Sequence, residues 1–315
     1  MNNTFATDIL KGLSEYPKAL SSKYFYDAKG DLIFQEIMNM PSYYLTNCEY
    51  DIFQQQKDDI LNSIHTQGQK FQLIELGAGD GYKTKVLLQH FVDKQADFEY
   101  IPVDISSHVL SQLSKDLRKN FDSLEVSPMQ GDYFHMLEQL GVDGNTKKVI
   151  MFLGSNIGNF SFEKATDFLK QIAHQLNKDD YFFIGIDLKK DPEVILNAYN
   201  DPEGITARFN LNLLRRINND LGADFDLLGF KHYPVYDPQT GECRSYLLSL
   251  KEQTVSIADL ETAFKFEKYE SIHTEISRKY SLKEIELLAD AAGFKVVKNF
   301  TDERGYFVDS LWKLK

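Results

Sequence analysis

Three glycines at alternate positions follow an apolar stretch, and this spacing is the strongest chemical signal in the sequence. Residues 73–76 are followed by Gly77, Gly79 and Gly81. Glycine lets a backbone turn sharply and lets a ligand lie against bare peptide groups. A strand, such a loop and then a helix form the first unit of a nucleotide-binding fold. The loop therefore predicts a site for a nucleotide-like cofactor.

The glycine spacing and the acids that follow it narrow the choice of cofactor. A phosphate-binding loop has the pattern G-x-G-x-x-G or ends in Gly-Lys-Ser/Thr, and this loop has neither. Asp80 would also repel a pyrophosphate. Asp104 ends the next apolar segment, where a carboxylate suits a ribose diol, and Asp132 with Tyr133 follows a third segment, where the pair can contact an adenine. These features predict S-adenosylmethionine rather than NAD.

Other polar residues are placed to bind a second small molecule. Asn159 follows the fourth predicted strand, and its amide can both donate to and accept from an amino acid. It could instead cap the next helix, although Ser161 competes for that role. Glu275 and Ser277 are two residues apart in an alternating segment, which places them on one face of a strand. A solvated edge strand is the competing interpretation of that segment.

Aromatic side chains are dense between residues 24 and 44, and they have two interpretations. Each one alone is most simply explained by packing of helices onto the core. Tyrosine, however, combines an apolar body with a hydroxyl that needs a partner, so several together can line a small-molecule pocket.

Alternating strands and helices must position these residues. The hydrophobic periodicity predicts strands over 71–76, 99–103, 124–128, 148–153 and 181–186, with helices over 82–91, 107–119, 134–140 and 161–176 between them. Ser281 and Glu284 predict a capped helix over 281–292, and a short link predicts an antiparallel hairpin of strands 294–300 and 306–314. The sequence thus predicts an α/β, Rossmann-like class I methyltransferase fold with a mostly parallel seven-stranded sheet and an antiparallel final hairpin.

Two distant parts of the chain fall outside this alternation. Residues 1–62 are expected to be helical without a strand series, and residues 189–279 mix helical and alternating stretches. We expect these two parts to form a discontinuous substrate-binding domain. Residues 63–188 and 280–315 would then form the cofactor-binding core, whose ligands bind at the carboxyl edge of the sheet.

Composition limits the partners. The 315 residues carry a net charge of −12, which disfavours nucleic acid and anionic membranes. Cys48 and Cys243 lack neighbouring metal ligands, so we expect free thiols in a reducing compartment. No histidine has paired ligand spacing, which predicts no metal site. With no visible leader and no apolar run long enough to span a bilayer, we expect a cytoplasmic, monomeric enzyme with a small-molecule substrate.

Ten short motifs carry a resemblance to a known family, and the resemblance runs from about residue 21 to residue 314. They are KYFYD (23–27), PSYY (41–44), ELGAG (75–79), PVD (102–104), FLGSNIGN (152–159), AYND (198–201), GIT (204–206), RFN (208–210), DFD (224–226) and TEIS (274–277). On these motifs the chain resembles the histidine-specific methyltransferases of ergothioneine biosynthesis. The resemblance implies transfer of methyl groups from S-adenosylmethionine to the α-amino group of L-histidine, up to the trimethylated betaine.

The resemblance also implies roles for individual residues. The implied cofactor residues are Gly77, Gly79, Lys83, Asp104, Asp132 and Tyr133, with Lys83 at the methionyl carboxylate. The implied substrate residues are Phe34, Tyr43, Asn159, Tyr199, Thr206, Glu275 and Ser277, of which Glu275 and Ser277 would hold the imidazole. Tyr26 and Asn159 are the implied catalytic residues. One departure is the absence of the methionine that the family typically has near Ser245 or Tyr246.

Three other functions compete with histidine methylation. The same chemistry on another amine, such as an aromatic amino acid or an indole derivative, needs only a different acceptor pocket. A cofactor-binding regulatory protein without catalysis would not need Asn159, Tyr199 and Glu275. An NAD-dependent oxidoreductase is disfavoured by the glycine spacing.

Overall fold

The computed structural model describes residues 3–64, 69–121, 123–131, 133, 136 and 146–315. The chain forms two compact units. The first, called the sheet unit, comprises Leu45–Lys189 and Lys279–Lys315. The second, called the inserted unit, comprises Met1–Tyr44 and Lys190–Arg278.

Helices and strands are numbered in chain order. The helices are α1 (Asn3–Ser14), α2 (Ala28–Met38), α3 (Tyr44–Ile64), α4 (Thr84–Asp93), α5 (Ser107–Asn120), α6 (Phe162–His174), α7 (Pro192–Tyr199), α8 (Ile205–Leu221) and α9 (Leu282–Ala291). The strands are β1 (Lys18–Ala19), β2 (Phe71–Leu76), β3 (Phe98–Asp104), β4 (Glu125–Val126), β5 (Met129–Gln130), β6 (Lys147–Phe152), β7 (Tyr181–Asp187), β8 (Phe230–Asp237), β9 (Glu242–Ser249), β10 (Gln253–Ile257), β11 (Thr262–Phe266), β12 (Ser271–Arg278), β13 (Phe294–Thr301) and β14 (Phe307–Leu314). Short 3-10 helices span Ser22–Phe25, Asn156–Asn159, Leu227–Gly229 and Ala258–Leu260.

The sheet unit contains the predicted doubly wound sheet. Its strand order is β13-β14-β7-β6-β2-β3, and both β4 and β5 pair with the outer edge of β3. All pairs are parallel except those of β14, which runs antiparallel to β7 and β13. Over the described residues the sheet has eight strands rather than the predicted seven, because the segment 124–128 does not form one strand. Pro128 cannot donate a hydrogen bond to the ladder and separates two short strands.

The buried faces of the sheet explain its strand sequences. Strands such as β6 and β7 are covered on both sides, so they are almost continuously apolar rather than alternating. Phe152, Phe168 and Phe182 belong to a core cluster that joins the sheet to α6 and α9. The predicted capping box of α9 is present, with Ser281 and Glu284 each bonding the other's backbone.

Helix α3 crosses the boundary between the units, which differs from the predicted boundary at residue 62. From Leu45 onward the helix belongs to the sheet unit. Its apolar face explains the difference, because Ile52 and Phe53 are fully buried and Phe53 stacks on Phe183 of β7 with ring centroids 6.2 Å apart.

The inserted unit has its own sheet, with the order β1-β12-β9-β8, and a separate hairpin of β10 and β11. Strand β1 lies within the segment that was expected to lack strands, and it pairs parallel to β12. The pairing of β12 with β9 shifts register between His273 and Glu275. The β-bulge at Thr274 decides which side chains of β12 share a face.

A bridge in the sheet unit closes the base of the long excursion between residues 189 and 279. Leu188 pairs with Tyr280, and the backbone N–H of Lys189 donates to the carbonyl of Tyr280 at 2.9 Å. Next to it, Lys279 and Asp187 form a completely buried ion pair of 2.8 Å. The two ends of the excursion therefore leave the sheet side by side.

Further predictions concern one helix, the two cysteines and membrane spans. The helix expected over 134–140 lies almost wholly outside the described residues. Cys48 and Cys243 are buried thiols that are not joined in a disulfide, as expected. In the part of the chain that the structure covers, none of the helices combines the length and the apolar character needed to cross a membrane.

Candidate active site

The glycine loop follows β2 and turns through three left-handed residues. Gly77, Gly79 and Gly81 have φ angles of 75°, 55° and 65°, which only glycine adopts without strain. The N–H of Gly77 donates to the carbonyl of Val103 at 2.8 Å, which fixes the loop to β3. A Cβ at Gly79 would meet no atom within 4 Å, so the backbone there faces open space, as a ligand cradle requires.

Asp104 and Tyr133 border the same loop. The N–H of Gly79 donates to Oδ2 of Asp104 at 3.1 Å, and the N–H of Ser106 donates to Oδ1 at 2.9 Å. Each carboxylate oxygen keeps a further lone pair for a hydroxyl donor. The hydroxyl of Tyr133 would lie 2.8 Å from a Cβ at Gly77, so glycine is needed for the close packing of this ring. Asp132 lies outside the described residues.

Lys83 directly precedes α4, and its ammonium forms an ion pair with Glu49 of α3. The other carboxylate oxygen of Glu49 accepts from the N–H of Gly154, in the loop after β6, at 2.8 Å. Although burial opposes it, the charge and hydrogen bond of Glu49 raise the pKa of Lys83, so Lys83 remains charged. Glu49 is not among the residues predicted from the sequence. The sequence does contain a sign of it, because Glu49 is an acid beside Cys48 on a helix face whose other residues include the apolar Ile52 and Phe53.

Glu75 lies beneath the loop on β2 and is 4% exposed. Its carboxylate accepts hydrogen bonds from the hydroxyls of Thr84, at 2.7 Å, and Tyr100, at 2.5 Å. Burial raises the pKa of Glu75 from 4.5 to about 7, and these two hydrogen bonds only partly oppose it. Glu75 therefore joins the start of α4 to β3.

The raised pKa of Glu75 should be visible in the pH dependence of protein stability. Between pH 4.5 and 7 the folded state binds a proton that the unfolded state has lost, so stability falls as pH rises. Relative to Glu75→Gln, the wild-type free energy of unfolding should fall by about 3 kcal/mol across this range and then level off. Thermal or urea unfolding at several pH values measures this difference.

Glu284 provides a control, because its pKa shift has the opposite sign to that of Glu75. Despite partial burial, hydrogen bonds from Ser281 and Lys189 lower its pKa, so Glu284→Gln should differ most from wild type above pH 4.5 and converge with it as pH falls. A Glu75→Gln curve parallel to that of wild type would contradict the assignment of a raised pKa to Glu75.

Asn159 ends the 3-10 helix Asn156–Asn159 after β6, and its side chain is exposed. The cap of α6 is Ser161, whose hydroxyl accepts from the N–H of Lys164 at 3.3 Å. The capping role that competed for Asn159 is therefore taken by Ser161. The same loop is fixed from below, because Ser155 adopts φ 59° and accepts from the N–H of Asp187 at 2.9 Å.

In the inserted unit, the predicted ring-binding residues lie on β12 and its neighbours. Ser277 and Tyr199 share a buried hydroxyl–hydroxyl hydrogen bond of 2.7 Å. Glu275 stands opposite Ser245 in the strand pairing, and the hydroxyl of Ser245 donates to Glu275 Oε2 at 3.4 Å. The part of β9 where the family typically has a methionine thus carries a hydroxyl that faces Glu275.

Hydrogen bonds hold the bulge that sets this arrangement. The hydroxyl of Thr274 lies 2.8 Å from Oδ1 of Asn210 and 3.0 Å from the carbonyl of Ser245, so its one proton is shared between two acceptors. His232 contacts the carbonyl of Tyr199 at 3.0 Å, and burial lowers the pKa of this imidazole, so it is neutral at pH 7. No pattern in the sequence indicates the bulge, because Thr274 fits a regular strand equally well.

The remaining predicted substrate residues also lie in the inserted unit. Tyr26 is 44% exposed and packs edge-on against Phe34, with ring centroids 5.5 Å apart. Tyr43 is half-buried against the core of this unit. Thr206 is buried in the first turn of α8, where its N–H donates to Asp201 at 2.8 Å. Tyr26 and Phe34 therefore form one aromatic group, while Thr206 belongs to a helix start.

The sheet order and the glycine loop define a class I methyltransferase fold. The solved mitomycin 7-O-methyltransferase MmcR has a related fold, with a TM-score of 0.51 at 12% identity over 99% of this chain and 68% of that one. A model of the family described as histidine-specific, SAM-dependent methyltransferases matches residues 5–314. The chain belongs to this family, and its cofactor is S-adenosylmethionine.

Two curated bacterial relatives match nearly the whole chain. A histidine N-alpha-methyltransferase of Mycobacterium tuberculosis is 31% identical, and one of Mycolicibacterium smegmatis is 32% identical, each over 96% of this chain and 93% of the relative. A 4-dimethylallyltryptophan N-methyltransferase of Claviceps purpurea is 27% identical over 63% of this chain and 60% of its own length.

Proposed function

We propose that the chain transfers a methyl group from S-adenosylmethionine to the α-amino group of L-histidine. The observation that carries the proposal is the polar group of the inserted unit, where Glu275, Ser277 and Tyr199 lie on or beside one strand. An imidazole needs both an acceptor and a donor, and a carboxylate with a hydroxyl supplies them. The names of the two mycobacterial relatives support the same substrate.

In this proposal the cofactor is held by the loop after β2 and its surroundings. Asp104 would accept the ribose hydroxyls, and Tyr133 with Asp132 would contact the adenine. Lys83 would bind the methionyl carboxylate with the donors that Glu49 leaves available, since an ammonium has three. The open backbone of Gly79 fits a ligand that approaches closely.

The acceptor would be oriented by its polar groups. Asn159 does not cap α6, so its side chain would bind the amine and the carboxylate of the acceptor. Tyr199 would also bind the carboxylate. Tyr26, Phe34, Tyr43 and Thr206 are proposed to complete the pocket. Glu275 would accept the imidazole N–H and thereby select histidine, because a site with buried polar groups rejects ligands that leave them unpaired.

The reaction needs little chemistry from the protein beyond orientation. When bound, S-adenosylmethionine supplies a methyl group already activated by its sulfonium. The chain must hold the amine lone pair in line with that methyl, and alignment of this kind contributes about 7–11 kcal/mol in the best cases. An α-amino group loses its proton at about pH 8. We therefore expect solvent, or a water held by Tyr26, to accept this proton.

A second acceptor class has a specific observation in its favour. One relative is named for an indole-containing substrate, and this chain lacks the methionine that the family typically has near Ser245 or Tyr246. An N-methyltransferase acting on another aromatic amine is therefore the alternative.

Binding and product measurements separate the two. Calorimetry of the protein with S-adenosylhomocysteine and then with L-histidine should show both ligands binding. Mass spectrometry after incubation with S-adenosylmethionine and a pool of amino acids should show methylated histidine as the product and should give the number of methyl groups. Binding of tryptophan or another amine, with no response to histidine, would contradict the proposal and favour the alternative.

A further inference from the structure

Two buried carboxyl groups face each other at β7, and the proposed methyl transfer uses neither. Glu49 of α3 and Asp309 of β14 are both 0% exposed. Between them lies Gly185 of β7, the strand partner of Asp309. A Cβ at Gly185 would stand 3.1 Å from Oδ1 of Asp309 and closer still to Oε1 of Glu49. The lack of a side chain on this glycine gives both carboxyl groups their room.

The hydrogen bonds of the two groups are unequal. Glu49 receives two donors, the Lys83 ammonium on one oxygen and the Gly154 N–H on the other. Neither oxygen of Asp309 receives a hydrogen bond from the residues that the structure describes. A fully buried carboxylate without donors is very unfavourable, whereas a protonated carboxyl group can donate to its neighbour.

Charge balance leads to the same protonation state. The positive charge of Lys83 attracts the negative charges of both acids. The charge of Glu75 also stabilises the charged form of Lys83. With one proton on the pair, Glu49 balances Lys83 and Asp309 is neutral. Burial raises the pKa of Asp309 well above its usual value, the charge of Glu49 raises it further, and Lys83 opposes both.

We propose that Glu49 and Asp309 are a positioning pair for the cofactor, sharing one proton so that Glu49 can hold both the Lys83 ammonium and the Gly154 amide at the carboxyl edge of the sheet. The inference rests on the proposed assignment of Lys83 to the methionyl carboxylate. Asp309 supplies a hydrogen bond without adding charge. Glu49 joins the loop after β2 to the loop after β6, so that both are set before the ligand arrives.

Isosteric variants of the full chain test the pair by calorimetry with S-adenosylhomocysteine at about pH 7.5, where a carboxylate is ordinarily charged. Lys83→Met is the reference, and it should weaken binding at least about tenfold, as loss of a charged hydrogen bond does. Glu49→Gln should weaken binding comparably, because Lys83 and Gly154 donate to different oxygens of Glu49 and the amide replaces one of these oxygens with an NH2 donor. Asp309→Asn should bind like wild type, because an amide N–H replaces the carboxyl proton as donor to Glu49.

A pH series gives a readout that a merely structural role would not move, and it does not need Glu49→Gln to fold. At alkaline pH wild-type Asp309 loses its proton, and the added negative charge beside Lys83 should weaken binding of the ligand carboxylate. Asp309→Asn cannot lose this proton, so its affinity should fall less. Titration of the ligand amine is common to both proteins and cancels in the comparison.

Several results would overturn the pair. One is a loss of affinity in Asp309→Asn as large as that in Glu49→Gln. Another is wild-type affinity in Glu49→Gln while Lys83→Met is impaired. Identical pH profiles for wild type and Asp309→Asn would also exclude the shared proton, and wild-type affinity in Lys83→Met would remove the assignment on which the pair depends. Histidine enters none of these measurements, so the substrate proposal stands or falls separately.

Discussion

Glu275→Ala is expected to lower kcat/KM for L-histidine by about 100-fold or more, because the buried N–H of the imidazole would lose its charged acceptor. Ser245 and Ser277 remain in this variant, but hydroxyls without charge replace a carboxylate poorly. Affinity for S-adenosylhomocysteine should not change, since Glu275 lies in the inserted unit and the loop residues assigned to the cofactor lie in the sheet unit. Steady-state kinetics and calorimetry on the same preparation measure both quantities.

Glu252→Ala is the matched control for this change. Glu252 is an exposed acid of the same unit, so its removal changes the net charge equally without touching β12. It should behave like wild type in both measurements. An equal loss of histidine turnover and cofactor affinity in Glu275→Ala would refute the role given to Glu275.

Gly77→Ala is expected to reduce affinity for S-adenosylhomocysteine at least about tenfold and to cost about 1–2 kcal/mol of stability, from its left-handed backbone alone. The steric part is specific, because the new Cβ would stand 2.8 Å from the Tyr133 hydroxyl. The Tyr133 ring packs against Phe152, with centroids 5.7 Å apart, so it cannot move without disturbing the core. Calorimetry and thermal unfolding report the two effects separately.

Gly293→Ala separates backbone strain from steric conflict. Gly293 has φ 86°, but a Cβ there would meet nothing within 4 Å. This variant should lose comparable stability and keep its affinity for the ligand. Tyr133→Phe, combined with Gly77→Ala, removes the conflicting hydroxyl and should recover part of the stability. Wild-type affinity in Gly77→Ala would show that the loop does not line the cofactor site.

Local features of the sheet unit were predictable from the sequence, because they depend on neighbouring residues. The glycine loop, the acid at the end of β3 and the Ser281 cap each have a signal within a few positions. The final antiparallel hairpin was predictable because only a short loop connects its two strands. Even the one error in the sheet has a local cause, since Pro128 stands where a continuous strand was expected.

Features that depend on tertiary packing could not be predicted. Glu49 and Asp309 are far apart in the chain, and they meet at the same glycine only because α3 packs on β7 and β14 pairs with β7. The bulge at Thr274 arises from hydrogen bonds to Asn210 and Ser245, which no spacing rule contains. Lys83 was assigned to the cofactor by resemblance, but its partner in the protein appears only in the fold.

The bridge between Leu188 and Tyr280 also bears on folding kinetics. Pairing of β7 with β14 joins residues that are more than a hundred positions apart, and such long-range contacts slow folding. The entropic cost of closing a loop grows with the logarithm of its length. Because the bridge brings the two ends of the excursion together, its formation shortens the effective loop between these strands. We therefore expect the rate-limiting barrier to include this bridge, with β14 docking afterwards.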